Sequence, residues 1–244
     1  MVAWLMLRAI LADLHVGQGA GDAERFTAAL DELDARGVDE VIFLGDVFRT
    51  LIGYPKFWDR PVEAGLTRIA ALRRRGARVV MVEGNRDFFL DSPAMDDFRD
   101  LSGSVHSFSA GGRRFLLEHG DLVNSRDRAY RFWRAVSKSR VARAWARTLP
   151  ASVARRIVAR TERKLAATNF SYRRALPESD LARQARQHFA AGVDTVLWGH
   201  FHKPWSLREG RHEAHVVPAW GEFGTIVTIH DDGELRGLGG STFR

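Results

Sequence analysis

ARVVMVEGNRDFF, residues 77–89, runs from an apolar stretch into a glycine, an asparagine and two charged side chains. The apolar part is short and lies between Gly76 and Gly84, which suits a buried strand better than a helix. Two earlier stretches read the same way: LRAILAD (7–13), overlapping a buried strand placed at residues 5–12, and DEVIFLGD (39–46). Between these strands lie two helical patterns. DAERFTAALDELDARG (22–37) carries Phe26, Leu30 and Leu33 on one face, and RPVEAGLTRIAALRRRG (60–76) has Pro61 near its start and Gly76 just past its end. Strand, helix, strand, helix, strand implies an α/β fold with a parallel sheet and helices on its faces.

Further along, SVHSFSAGGRRFLLEHGD (104–121) reads as a hairpin turning at Ala110-Gly111-Gly112. DTVLWGHFHKP (194–204) reads as another buried strand running into a loop. Residues 212–236 read as two or three closing strands with a turn at Asp232-Gly233. From about 126 to 191 the pattern is helical.

The 244 residues suffice for one large domain, or for a domain with an insertion. With 45% hydrophobic and 27% charged residues, the chain has the composition of a soluble globular protein. The absence of cysteine excludes disulfides and thiolate metal sites and fits a cytoplasmic setting. The apolar start lacks the basic region of a signal peptide and is broken by Arg8 and Asp13. No run reaches the ~18 to 20 residues needed to cross a bilayer.

The net charge of +7 is uneven. Residues 131–174 hold thirteen Lys or Arg and one acid, a net +12, which leaves the rest of the chain at −5. Phe132, Trp133, Trp145, Ile157, Val158 and Leu165 are interleaved with this charge. Residues 126–175 are therefore read as an inserted helical cap, and 1–125 with 176–244 as the core. Two roles suit such a cap: a solvated hairpin packed on the core, or a basic, apolar-studded lid over an anionic, partly greasy ligand.

Five strand ends carry polar residues: Asp13-Leu14-His15, Gly45-Asp46, Gly84-Asn85, His119-Gly120-Asp121 and Gly199-His200-Phe201-His202. Ligands of open α/β sheets bind outside the carboxyl ends of the strands. The pattern therefore brings Asp13, His15, Asp46, Asn85, His119, His200 and His202 to one edge. Each motif alone is weak, and the set in this order is specific. Carboxylates, imidazoles and an amide oxygen suit Mn²⁺, Fe²⁺ or Zn²⁺. Seven ligands exceed the needs of one ion, and a shared carboxylate can bridge two ions at roughly 3.5–4 Å to clamp a phosphate. His106, His188, His212, His215 and His230 lie outside the motifs and read as surface or strand positions.

As a set, DLH (13–15), GDVF (45–48), GNRD (84–87), HGD (119–121) and GHFH (199–202) resemble the calcineurin-like metallophosphoesterases. The resemblance covers nearly the whole chain. It implies an α/β fold with a β-sandwich core flanked by helices, here with the inserted helical cap. It implies that Asp13, His15, Asp46 and His202 hold one ion, and that Asp46, Asn85, His119 and His200 hold the other, with Asp46 bridging. Asp46, His119 and Arg86 would be the catalytic residues. Arg86 stands where the superfamily has a histidine. An arginine does no acid–base work near neutral pH, but it holds phosphate oxygens in pairs and offsets developing charge. A leaving group that needs little protonation, as a phosphate does, suits it.

GNRDFF in this setting resembles the UDP-2,3-diacylglucosamine diphosphatases of lipid A synthesis. That resemblance implies cleavage of a UDP-linked acylated glucosamine to UMP and a lipid sugar phosphate, with two divalent ions, Mn²⁺ foremost. It implies substrate contacts at Asn85, Arg86, Asp127, Asn169 and His200, and at Tyr172, which stands where the family has a lysine. Leu165 stands where the family has a serine, and Arg49 and Tyr54 where acids are common. It further implies a cytoplasmic monomer, peripheral on the cytoplasmic face of the inner membrane through the basic cap, with no nucleic-acid partner. The competing readings are another bimetal phosphodiesterase or nuclease, whose basic segment would meet nucleic acid, and a metal-free scaffold. The intact ligand set argues against the scaffold.

Overall fold

The computed structural model describes residues 6–160 and 176–238. In chain order the first half runs β1 (Arg8–Leu11), α1 (Asp22–Ala35), β2 (Glu40–Leu44), β3 (Leu51–Ile52), α2 (Arg60–Arg74), β4 (Arg78–Val82), β5 (Asp87–Phe88), β6 (Leu101–Gly103), β7 (Val105–Ala110) and β8 (Arg113–Glu118). Three helices follow: α3 (Arg128–Ser137), α4 (Arg140–Thr148) and α5, described over residues 151–160. The rest is α6 (Glu178–Ala190), β9 (Thr195–Trp198), β10 (Ser206–Glu209), β11 (His212–Val216), α7 (Trp220–Phe223), β12 (Val227–Ile229) and β13 (Leu235–Arg236).

Two mixed sheets pack face to face. One has the order β13-β12-β1-β2-β4-β6, the other β10-β11-β9-β8-β7. Strands β1, β2, β4 and β6 are parallel, as the strand–helix alternation predicts, while β12 and β13 add an antiparallel edge. In β1, β2 and β4 successive side chains serve different cores, since alternate residues point to opposite faces. Ala9, Leu11, Val41, Phe43, Val79 and Met81 pack with Phe26, Leu30 and Leu33 of α1 and Leu66, Ile69 and Leu72 of α2. Ile10, Ile42, Leu44, Val80 and Val82 pack with Phe115, Leu117 and Leu197 of the second sheet. The far face of that sheet, with Val196, Trp198, Ala214 and Val216, is covered by Leu181 and Ala185 of α6. The layers run helix, sheet, sheet, helix. Each fully buried Leu, Ile or Phe contributes about 1.5–3 kcal/mol of transfer free energy.

The hairpin β7–β8 turns at Gly111-Gly112 as expected. One strand is unexpected: the edge strand β10 pairs antiparallel with β11, yet its SLRE sequence is mostly exposed, with Leu207 its single apolar residue. Residues 212–236 hold three strands, β11, β12 and β13, within the expected two or three; between β11 and β12 lies α7, whose Trp220 and Gly221 amides bond to the Ala12 and Asp13 carbonyls at 2.8 and 3.2 Å.

The segment expected to form the cap is helical where described. Asp127 and Ser139 accept the first-turn amides of Tyr130 and Ala142 and so start α3 and α4. Ala146 and Ala154 are buried against Phe57, Phe88 and Phe89. Trp133 meets Phe88 edge to face, with ring centroids 6.0 Å apart. Several of its cations are paired with acids elsewhere in the chain. Arg134 binds Asp121, Lys138 binds Glu83, and Arg143 binds Asp91 through both carboxylate oxygens. Three of the thirteen cations counted for residues 131–174 thus help hold this segment in place. Among the described residues no helix is long and apolar enough to cross a membrane.

Candidate metal centre

The loops after β1, β2, β4, β8 and β9 meet at one edge of the two sheets. Backbone geometry there is strained. Asp13, His15, Asp46, His200 and His202 all have φ between 50° and 71°. The left-handed region costs an ordinary residue roughly 1–2 kcal/mol, and such strain gathers at functional sites. Direct bonds between the loops hold it. The Asp13 amide donates to Gly45 O (3.2 Å) and the His15 amide to Asp46 O (3.0 Å). Asp87 is fully buried, and its Oδ2 accepts from the amides of Asp46 (2.8 Å) and Gly84 (2.9 Å). It thereby ties the β2 loop to the β4 loop.

Two glycines make room for the cluster. A Cβ at Gly45, itself at φ 84°, would collide with the His119 ring. A Cβ at Gly84 would collide with the Asp46 carboxylate. The glycines before Asp46 and Asn85 are therefore steric requirements of His119 and Asp46 respectively.

The seven predicted residues are brought together. One carboxylate oxygen of Asp13 and one ring nitrogen each of His15 and His202 lie within 4.8 Å of one another, and so do Asp13, Asp46 and His119. His202 Nε2 is 3.5 Å from Asp13 Oδ1 and 3.4 Å from His15 Nε2. On the other side, Asn85 Oδ1 lies 3.1 Å from both His119 Nε2 and His200 Nδ1. His119 Nε2 is 3.7 Å from Asp46 Oδ1, and the His200 amide donates to Asp13 Oδ2 at 2.6 Å.

The donors fit a pair of cations. His119 Nδ1 must donate to the Leu44 carbonyl (3.0 Å), which can only accept, so in the neutral ring the Nε2 lone pair points at the Asn85 oxygen. In that neutral form two electron-rich atoms face each other. Asp13 Oδ1 and His15 Nδ1 are buried with no hydrogen-bond partner among the described residues. Burial pulls the pKa of His15 down to about 3 and that of His200 to about 4, which leaves their rings neutral, the form that binds metal. Burial also opposes protonation of His119, but the Asp46 and Asp13 carboxylates outweigh it and hold its pKa above the usual value. An all-nitrogen-and-oxygen donor set with two centres of convergence can hold two divalent ions.

Arg86 lies beside this cluster and is only 5% exposed. Its amide donates to Asp46 Oδ1 (2.9 Å), its Nε sits 3.4 Å from Asp46 Oδ2, and its Nη1 donates to Arg49 O (3.3 Å). Asp127 lies at the start of α3, where its side chain accepts from the Tyr130 amide at 2.8 Å. Asn169, Tyr172 and Leu165 lie outside the described residues. Sequence reasoning missed two supporting groups. Asp87 stands inside the quoted GNRD motif, so its position was a signal that went unused. Glu222, whose Oε1 accepts from His202 Nδ1 at 2.8 Å, carries no local signal at all.

A helix-flanked double sheet with this cluster at its strand ends defines a metallophosphoesterase. The chain belongs to the calcineurin-like phosphoesterase family, which residues 6–204 match. Among individual relatives, it is 30% identical over 243 residues to the UDP-2,3-diacylglucosamine hydrolase of Azotobacter vinelandii, covering 93% of this chain and 96% of that one. It is 29% identical over 228 residues to the protein of the same name from Ralstonia nicotianae, covering 86% and 82%. Its fold is that of a dimetal phosphatase from Danio rerio, with a TM-score of 0.51, 14% identity and coverage of 96% and 98%.

Proposed function

We propose that this chain hydrolyses the pyrophosphate bond of UDP-2,3-diacylglucosamine, giving UMP and 2,3-diacylglucosamine 1-phosphate. The observation that carries the reading is Arg86, a permanent cation packed against Asp46 in a cluster of seven nitrogen and oxygen donors. The relatives named for this substrate match along most of their length, which supports it.

Two divalent ions, with Mn²⁺ the proposed pair, would be held by Asp13, His15, Asp46 and His202 and by Asp46, Asn85, His119 and His200, and would supply Lewis-acid polarisation of phosphate oxygens and an acidified water. The chain's own residues do the rest. Asp46 keeps the two halves of the cluster in register, and Arg86 offsets charge on the diphosphate from a fixed position. His119 is locked to the Leu44 carbonyl, so its Nε2 cannot turn away. Asn85 and His200 border the same space, and Asp127, Asn169 and Tyr172 complete the substrate contacts in this reading. Residues 126–175 act as the cap.

The cap also supports contact with a membrane. Phe132 and Val136 on α3 and Val141 and Trp145 on α4 are exposed i,i+4 pairs, with Phe132 at 73% and Val141 at 79%. Arg131, Arg140 and Arg147 are exposed around them. Apolar wedges ringed by arginine suit the interface of an anionic bilayer. The protein would then act as a monomer in the cytoplasm, on the inner face of the inner membrane.

The test is incubation of the manganese-loaded protein with UDP-2,3-diacylglucosamine, with UDP-N-acetylglucosamine and an Asp46→Ala variant alongside. UMP released from the lipid alone, and lost in the variant, is the expected result. No UMP from the lipid, with hydrolysis of other phosphodiesters retained, would overturn the substrate assignment.

A further inference from the structure

A metal-binding histidine works best when its second ring nitrogen is held, because that bond sets the tautomer and aims the lone pair. His119 is held by a backbone carbonyl. His202 is held by a side chain: its Nδ1 lies 2.8 Å from Glu222 Oε1, and a carboxylate can only accept there. The Nε2 of the same ring then faces Asp13 Oδ1 at 3.5 Å and His15 Nε2 at 3.4 Å.

Glu222 is delivered by a rigid wedge. It lies on α7, whose Trp220 is buried against Phe26 in the helix-side core. The amides of Trp220 and Gly221 bond to Ala12 and Asp13 carbonyls, so α7 is fastened to the loop that carries Asp13 and His15. The fit is close: a Cβ at Gly221 would lie 2.8 Å from Leu14 O and 3.1 Å from Asp13 O. One element thus grips the loop of two donors and, one residue later, orients a third.

We propose that Glu222 is a positioning residue of the metal centre: it accepts the Nδ1 proton of His202 and fixes Nε2 toward Asp13 and His15, raising affinity for the ion those three residues share. The proposal rests on reading the cluster as a metal centre. Its experiment compares the full-length wild type with Glu222→Ala and Glu222→Gln by equilibrium dialysis against Mn²⁺. The zinc-loaded proteins are followed in parallel through the downfield proton resonance of His202 Nδ1, assigned with His202→Ala. Loss of an outer hydrogen bond of this kind weakens metal binding by about 10–100-fold. The alanine variant is expected to lose that much affinity for one of two manganese ions, and its Nδ1 proton should exchange rapidly with solvent. Glutamine keeps an accepting oxygen and should recover most of both effects. Melting temperatures close to wild type would show that the fold survives. An alanine variant that binds both ions with wild-type affinity and keeps a protected Nδ1 proton would overturn the assignment. A wild type that binds no manganese would overturn the metal-centre reading, and this proposal with it.

Discussion

Replacing Gly84 by alanine puts a methyl carbon where there is no room for one. The new carbon would lie 2.7 Å from the Asp46 amide nitrogen, 3.1 Å from its Cγ and closer still to its Oδ1. Carbon in favourable contact sits at about 3.5 Å or more, so one loop must withdraw by roughly 0.8 Å to clear the amide nitrogen and further to clear Oδ1. Asp46 cannot yield cheaply. Its amide is bonded to Asp87, and its Oδ1 accepts from the Arg86 amide. Gly84 is not in the left-handed region, so backbone strain adds nothing and the variant reports crowding alone. Overpacking of this kind costs about 1–3 kcal/mol. For a chain of this size that corresponds to a fall in Tm of roughly 2–12 °C. A misplacement near 1 Å in a catalytic group costs about 10²-fold in rate. The expected result is a loss of roughly 10–100-fold in kcat/KM for UMP release, with fewer than two manganese ions bound per chain. Gly103→Ala on β6 is the control, since nothing there comes closer than 3.5 Å, and it should behave as wild type. A Gly84→Ala protein with full metal content, wild-type turnover and an unchanged Tm would refute the view that this glycine exists to admit Asp46.

Arg86→Lys keeps a positive charge but loses the planar fork, and kcat/KM should fall by about 10–100-fold with metal content unchanged; unchanged turnover would show that charge alone suffices. Lys138→Met removes the bonds to Glu83 Oε2 (3.1 Å) and Gly84 O (2.9 Å) and should destabilise the protein by about 1–3 kcal/mol, read as a lower urea midpoint. Burial works to raise the Glu213 pKa, but Arg113, Arg208 and His215 outweigh it and bring it to about 2, below the ordinary value of 4.5. The stabilisation is therefore fully present above pH 4.5 and disappears as the pH falls from there toward 2. Glu213→Gln should be less stable than wild type at pH 6 by on the order of 1–3 kcal/mol, with the gap closing near pH 2.5; a gap that stays constant in paired urea titrations would sink the attribution.

The parts of this fold that were legible in the sequence are those whose side chains answer to one local rule. Strands β1, β2 and β4 are buried on both faces, so they read as unbroken apolar runs. The ligands stood out because each follows such a run at once, and a polar residue there has few other uses. Strand β10 was invisible because an exposed edge strand needs few apolar residues, and a single one, Leu207, makes no pattern. The second sheet is expected only through the family resemblance, as half of a β-sandwich, and not from any local pattern. Strands β8 and β9 are neighbours in space but are separated by the whole helical segment, and no local pattern reports such a pairing. Charge counting failed in the same way. Arg134, Lys138 and Arg143 are indistinguishable in sequence from Arg131, Arg140 and Arg147, yet the first three meet acids and the last three are exposed. Glu222 reaches His202 only because α7 folds back onto the β1 loop.

The arginine at position 86 has a reason to be there even without substrate. Burial works to raise the pKa of Asp46, and Asp13 adds to the effect by charge repulsion. Asp87, buried next to it, is pushed up to about 7 by desolvation and by Asp46 itself. Three carboxylates in so little space cannot all stay ionised without compensating charge. A histidine at position 86 would compensate only while protonated, and burial disfavours that form. A guanidinium keeps its charge at every working pH, and here its Nε lies 3.4 Å from Asp46 Oδ2. Arg86 thus helps hold the shared carboxylate in its anionic form, and the same fixed charge is already in place when a diphosphate arrives. Acid–base chemistry at this position is given up in exchange for a charge on residue 86 that does not change with pH, which suits a reaction whose leaving group is a phosphate.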